Sequence, residues 1–328
     1  VTRIESARRL AAFVLADAVM GHLPRRVSYA AMTVIGWIVA TVFPGRVRGL
    51  ASNLRQVFPE YSDAQVTDLM QRNAKNYGKF WVDLFKMPRI PAVRRNALAV
   101  VENQASLESV MAAGRGVVIV SIHMGGWEGC ASLWGSKMAH IRSGLIAEVL
   151  EPPALWRRIL RLRESTGLEI IPLSRTAPRD IIRRLRANGL VCGAIDRDLL
   201  GSGKPFQFFG RPASIPTGLF EVAQRTGAGV LPVVCLRHPG DTYSLVGMEP
   251  IWIGPEDGAV DAAVNQALRV FEDCIRRYPD QWHVMEPIWA PAEAADEAAA
   301  APSAAVRVFP AGAGEGADAE LGREAGVG

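Results

Sequence analysis

The stretch Val117-Val118-Ile119-Val120-Ser121-Ile122-His123-Met124-Gly125-Gly126-Trp127-Glu128 passes from a β-branched apolar run to a histidine, two glycines and a carboxylate. A short run rich in Val and Ile reads as a buried strand. Trp127 to Met138 carries the longer apolar spacing of a helix. His123 therefore falls where a parallel strand ends and its crossover helix begins, the crevice in which open α/β sheets bind ligands. Glycines there let backbone N–H groups approach a substrate closely. Glu128, five positions on, can turn back toward the imidazole, fix its tautomer and stabilise its charged form. A histidine so held takes a proton from an alcohol near neutral pH. A hydrogen-bonded histidine at an ordinary strand–helix turn fits the same spacing.

Outward from this stretch, strands and helices alternate. Ser62-Asp63 is a helix start for a long helix to about Met87. Leu98–Val101, Glu169–Pro172, Leu190–Ile195 and Gly229–Leu236 read as further strands. Helices are expected at Gln104–Ala113, Pro153–Thr166, Pro178–Asn188, Pro216–Thr226 and Ala259–Tyr278. The alternation predicts an α/β fold with a mainly parallel central sheet flanked by helices.

A second constellation, Asp196-Arg197-Asp198 and then Leu199-Leu200-Gly201-Ser202-Gly203-Lys204, follows the strand at Leu190–Ile195. Being also at a strand's C-terminal end, it can share the crevice with His123. Asp196 is a second carboxylate able to orient the histidine, and Arg197 and Lys204 are candidates for holding phosphate. A charged turn with an internal Asp–Arg pair is the plainer alternative. Phe206, Phe208 and Phe209 fit either an acyl-chain pocket or a core strand.

The N-terminus is apolar and rimmed by arginine. Leu10 to Leu23 follows Arg3, Arg8 and Arg9, and the uncharged Val27 to Phe43 lies between Arg25-Arg26 and Arg46 with Arg48. That length is at the lower limit of the roughly 17–25 residues of a spanning helix. Flanking arginines suit helices lying on an anionic lipid surface. Residues 1–45 are thus expected to be membrane-associating helices, peripheral or monotopic, with a single span as the alternative. No cleavage site of the signal-peptide kind follows. From about Ala292 the chain is rich in Ala, Gly and Glu without apolar periodicity and reads as a disordered tail, 292–328.

Of 328 residues 49% are hydrophobic, high for a cytosolic enzyme and low for a multi-span membrane protein. The net charge of +4 conceals an asymmetry: from Pro291 onward seven acidic and two basic residues leave 35 basic against 26 acidic before it. A basic body calls for an anionic partner, and without aromatic-interleaved basic motifs lipid is favoured over nucleic acid. Cys130, Cys192, Cys235 and Cys274 are scattered, which argues against a disulfide framework or zinc site and fits a reducing setting. The five histidines form no His-Glu-x-x-His pattern, so metal catalysis is disfavoured.

From about Arg46 to Trp289 the chain resembles the bacterial family that contains lipid A lauroyl and myristoyl acyltransferases and phosphatidylinositol mannoside acyltransferases. The resemblance rests on Asn53-Leu54 with Phe58-Pro59-Glu60, on His123 with Glu128, and on Arg163-Glu164-Ser165-Thr166-Gly167. It continues through Asp196-Arg197-Asp198, Phe208 to Ala213, Ala223 to Pro232 and Pro279-Asp280-Gln281-Trp282-His283. Asp-Arg-Asp-Leu and Trp-His-Val-Met-Glu-Pro-Ile-Trp look closer to the mannoside branch. The resemblance implies a glycerolipid-acyltransferase-like domain over 46–291, at the cytoplasmic face of the cell membrane. It implies transfer of a fatty acyl group from acyl-coenzyme A or acyl carrier protein to a glycolipid hydroxyl, with no other cofactor and no metal. His123 would be the general base, with Glu128 or Asp196 orienting it and stabilising the imidazolium. The branch has glutamate where Asp196 stands. Arg163 would stabilise an oxyanion or hold donor phosphate, and Arg197, Asp198 and Ser202 would contact substrate. A lipid hydrolase is the rival enzyme, but no Gly-x-Ser-x-Gly elbow is present and Ser121 sits on the buried strand. A lipid-binding protein without catalysis is the third reading.

Overall fold

The computed structural model describes residues 3–137, 141–174 and 176–289. The tail expected to be disordered lies outside the described residues. Nine strands are found among the described residues: β1 (Ala99–Glu102), β2 (Val117–Ser121), β3 (Ser143–Ala147), β4 (Ile170–Pro172), β5 (Leu190–Ala194), β6 (Lys204–Phe208), β7 (Arg211–Ile215), β8 (Gly229–Arg237) and β9 (Tyr243–Gly247). Seven form one sheet in the order β1-β9-β8-β2-β5-β3-β4, and β6 and β7 form a separate hairpin. Every pairing from β8 to β4 is parallel, while β9 runs antiparallel to β8 and carries β1 parallel to itself. The mainly parallel sheet is as expected, with an antiparallel edge.

The helices are α1 (Arg3–His22), α2 (Arg25–Val42), α3 (Arg48–Val57), α4 (Asp63–Lys86), α5 (Ala92–Asn96), α6 (Gln104–Ala112), α7 (Trp127–Lys137), α8 (Pro153–Glu164), α9 (Ala177–Arg186), α10 (Gly218–Thr226) and α11 (Ala259–Arg277). At the start of α4, Ser62 and Gln65 bond each other's backbone N–H in a capping box, which satisfies two donors the helix leaves free. Burial on both faces makes β2 apolar from Val117 to Val120. Val118 and Val120 pack with Phe220 of α10 and Phe271 of α11, and Val117 and Ile119 pack with Val110 of α6 and Leu133 of α7. This two-sided core leaves the strand ends as the place where polar chemistry can reach solvent.

The N-terminal helices lie against the body. A Cβ on Gly36 would come within 2.4 Å of the Ala74 carbonyl oxygen, and one on Gly78 within 2.5 Å of that of Met32, so α2 and α4 meet backbone to backbone. Polar ties fix them: the buried Asp17 carboxylate of α1 pairs with Arg89 at 2.8 Å and Arg158 of α8 at 2.7 Å. Tyr29 of α2 donates to Asp83, which also pairs with Arg237 and accepts from Tyr243. Among the described residues no single helix is long and apolar enough to cross a membrane.

Candidate active site

At the C-terminal end of β2 the chain turns sharply. Gly125 adopts a φ of +64°, and a Cβ there would lie 2.1 Å from the Cys235 carbonyl oxygen. A side chain is excluded twice, by conformation and by space. The turn is held from outside. Gly125 N–H donates to the Gln281 carbonyl at 2.7 Å, and His283 N–H donates to the His123 carbonyl at 2.7 Å. This local stitching fixes the backbone that carries the histidine.

Asp196, one residue past the Ile195 that continues β5, faces His123. Its Oδ2 accepts from the His123 backbone N–H at 2.8 Å and its Oδ1 lies 2.7 Å from His123 Nδ1. The indole N–H of Trp282 donates to Oδ2 at 3.1 Å. Burial opposes ionisation of Asp196, but the His123 imidazole, its bonds to the carboxylate and the Trp282 donor outweigh it. The carboxyl is held below its usual range. An ionised Asp196 only accepts, so Nδ1 carries the proton and Nε2 is the basic nitrogen.

Glu128 does not turn back to the imidazole. Because α7 begins at Trp127, Glu128 lies on the first turn of the helix and points at α8. There Arg163 Nε and Nη2 converge on its Oε1 at 2.9 and 2.6 Å. Burial pushes the Glu128 carboxyl above its ordinary value, and Arg163 pulls it back only in part. The guanidinium of Arg163 also lies 4.9 Å from the Trp127 ring centre. The two carboxylates thus have separate partners.

His123, Trp127 and Arg163 line one cavity of about 720 Å³ that runs inward between apolar side chains. Leu145, Leu168, Leu190, Leu219, Val222 and Val233 are among its walls. Cys192 and Cys235 are in its lining too, but burial pushes the Cys192 thiol up to about 12, so it offers no thiolate near neutral pH. A cavity of this size and lining has room for a long apolar group beside the imidazole.

The family profile described as "Bacterial lipid A biosynthesis acyltransferase" matches residues 7–290. The chain belongs to this family. It is 32% identical over 247 residues to the phosphatidylinositol mannoside acyltransferase of Mycobacterium tuberculosis, covering 73% of this chain and 76% of that one. Its likeness to the same-named protein of Mycolicibacterium smegmatis is 31%, over 73% and 78% of the two chains. The lipid A biosynthesis lauroyltransferase of Escherichia coli is 26% identical, over 80% and 84%. The protein is accordingly an acyltransferase.

In this acyltransferase the other residues singled out in sequence have unequal places. Arg197 lines the cavity but bridges Glu148 at 3.4 Å and Glu286 at 3.2 Å, with no internal Asp–Arg pair. Asp198 also lines it, yet its carboxylate accepts from Ser202 N–H at 3.2 Å, Gly203 N–H at 2.9 Å and the Ser214 hydroxyl at 2.7 Å. Those donors outweigh burial and hold its carboxyl below the ordinary value. It braces the loop that puts Ser202 on the cavity wall. Lys204 points away, 3.7 Å from Asp261. Phe208 and Phe209 are buried on the β6–β7 hairpin against Trp282 and Trp289, so the core reading of this aromatic run is the correct one.

One cavity residue had no assigned role in sequence. His283 is buried, with Nδ1 2.9 Å from Asn73 Oδ1 and its ring stacked obliquely 5.6 Å from that of Tyr77. Burial, and then the charges of Arg237 and His123, push its value down to about 3. It stays neutral beside the site. Its position in the Trp282-His283 motif was the available signal.

Proposed function

We propose that this acyltransferase moves a fatty acyl group from a coenzyme A or carrier-protein thioester to a hydroxyl of a mannosylated phosphatidylinositol, with His123 as general base. The observation that carries the reading is the Asp196-bound Nδ1 of His123, which leaves a basic Nε2 in an apolar-walled cavity. Nε2 takes the hydroxyl proton as the acceptor oxygen attacks the thioester carbonyl. The C–O bond forms, the C–S bond breaks, and the thiolate leaves with the proton returned by the imidazolium. Asp196 stabilises the imidazolium between those steps. Such a base supplies about 10²–10⁴-fold. Arg163, fixed by Glu128, is assigned to the developing oxyanion or the donor's phosphates.

This choice of acceptor is supported by the mannoside relatives, which match at higher identity than the lauroyltransferase. A lipid A precursor is the second reading, favoured by the description of the family profile. Membrane attachment at the cytoplasmic face is assigned to residues 1–45. Val14, Leu15 and Val19 of α1 and Val34, Trp37, Ile38 and Val42 of α2 are exposed. With Arg26, Arg46 and Arg48 nearby they suit a peripheral contact with anionic lipid. The catalytic unit is assigned to 46–291.

The test is acyl transfer from palmitoyl-coenzyme A, read by mass spectrometry, with mannosylated phosphatidylinositol and a lipid A precursor as competing acceptors. The expected result is a mass gain on the mannoside that His123→Ala abolishes while remaining folded. Gain on the precursor alone selects the second reading. Free fatty acid without either product overturns the transferase chemistry.

A further inference from the structure

A second, smaller crevice of about 220 Å³ lies between α2 and α4. Ile35 and Val39 of α2 form one side, Tyr77 and Trp81 of α4 the other, with Met285 at the base and Arg46 at the rim. Tyr77, Trp81 and Met285 line the reaction cavity as well. The two spaces are therefore separated by a partition one side chain thick. We infer that this crevice binds an acyl chain of the glycolipid acceptor, with the lipid phosphate held by Arg46. The inference rests on the proposed acceptor being a phosphorylated glycolipid.

Four observations select this occupant. The lining is apolar except for Arg46, and an apolar space of this kind does not hold ordered water. Its volume lies below the roughly 300–1,000 Å³ of a whole-ligand pocket, which suits a stretch of hydrocarbon and not a folded peptide. Arg46 is exposed, sits 5.9 Å from the Phe43 ring centre and makes no ion pair among the described residues, so its charge is available to an anion. The neighbouring face of α2 exposes Val34, Trp37 and Ile38, so a chain enters from the side the enzyme turns toward lipid. A lipid held in this way lies with its tail and its sugar on opposite sides of the Tyr77–Trp81–Met285 wall. That arrangement explains how a single hydroxyl of a multi-hydroxyl headgroup is presented to His123.

The test compares the full chain with Ile35→Trp, which fills the crevice, and Arg46→Glu, which reverses its rim charge. Each is assayed with the diacylated mannoside in detergent micelles and with its deacylated, water-soluble headgroup. The expected result is a rise of roughly tenfold in KM for the diacylated acceptor in both variants; the headgroup's kcat/KM is unchanged in Ile35→Trp and falls in Arg46→Glu, because the deacylated headgroup keeps its phosphate. Equal losses on both acceptors in Ile35→Trp, or no change on the diacylated acceptor in either variant, overturn the proposal. Occupancy is read separately with phosphatidylinositol carrying a photoreactive diazirine in one chain. Label on Val39 or Met285 that Ile35→Trp suppresses supports the crevice, and label confined to Val34 and Trp37 overturns it. Wild-type protein that transfers to neither acceptor fells the proposed reaction and the identity of the occupant, while the label still reports whether the crevice holds a lipid chain.

Discussion

Asp196 and Glu128 are both buried carboxylates beside the same histidine-bearing turn, yet their surroundings drive them in opposite directions. Asp196 meets one imidazole, one backbone N–H and one indole N–H, and its carboxyl is held below the usual range. Glu128 meets a single guanidinium, and its burial keeps its carboxyl above the ordinary value. The difference shows that burial does not decide ionisation here; the number and direction of donors do. It also divides the labour. Asp196 acts on His123, and Glu128 acts on an arginine at the cavity wall.

The division is broken most severely by Asp196→Asn. The amide offers N–H where Nδ1–H needs an acceptor, so the proton moves to Nε2 and the base is lost. We expect kcat to fall about 10²–10⁴-fold with KM little altered, measured by steady-state transfer. Next in size, Arg163→Met leaves Glu128 buried without a partner and should cost about 3–5 kcal/mol in a urea titration. Adding Glu128→Gln to that variant should restore most of the loss, because the uncompensated charge is gone. Glu128→Gln alone sharpens the comparison: kcat should fall less than roughly tenfold, since the base keeps its own carboxylate. A loss as large as that of Asp196→Asn would erase the distinction between the two residues.

Smaller effects test the surrounding shell. Trp282→Phe removes one donor to Asp196, raises its carboxyl and should lower kcat several-fold, for a bond worth about 1–2 kcal/mol. His283 supplies a pH test. Its folded value of about 3 lies below the ordinary 6.5, so the unfolded chain takes up the proton first. The corresponding stability is present above pH 6.5 and is lost as pH falls from there toward about 3. Urea midpoints at a series of pH values should fall across that window in the wild type and fall less in His283→Gln.

The central strands were legible because burial on both faces leaves an unmistakable apolar run in β2, β5 and β8. His123 and Asp196 were legible for the same reason, since each follows such a run directly. Ser143–Ala147 escaped notice: β3 is only partly buried and opens on Ser-Gly. The β8–β9 hairpin was also missed, although Pro239-Gly240-Asp241 carries its turn, with Gly240 at φ +83° and Asp241 at φ +59°. Glu128's partner could not be read from spacing. A helix beginning one residue earlier turns the side chain away from His123, toward an arginine on a helix that the fold alone brings near. The same holds for Asp17, whose partners Arg89 and Arg158 belong to elements far along the chain.

The turn bearing His123 is stitched to Gln281 and His283, and its carboxylate partner is bonded to Trp282. During synthesis His123 leaves the ribosome long before the segment that seats it. A growing chain therefore carries the imidazole on a turn that lacks its two outer backbone bonds, beside a carboxylate that lacks its indole donor. The turn and its carboxylate partner receive these bonds in one late step, when the segment around Trp282 docks. A protease that clips before Pro279 would undo that step while leaving every sheet strand in place.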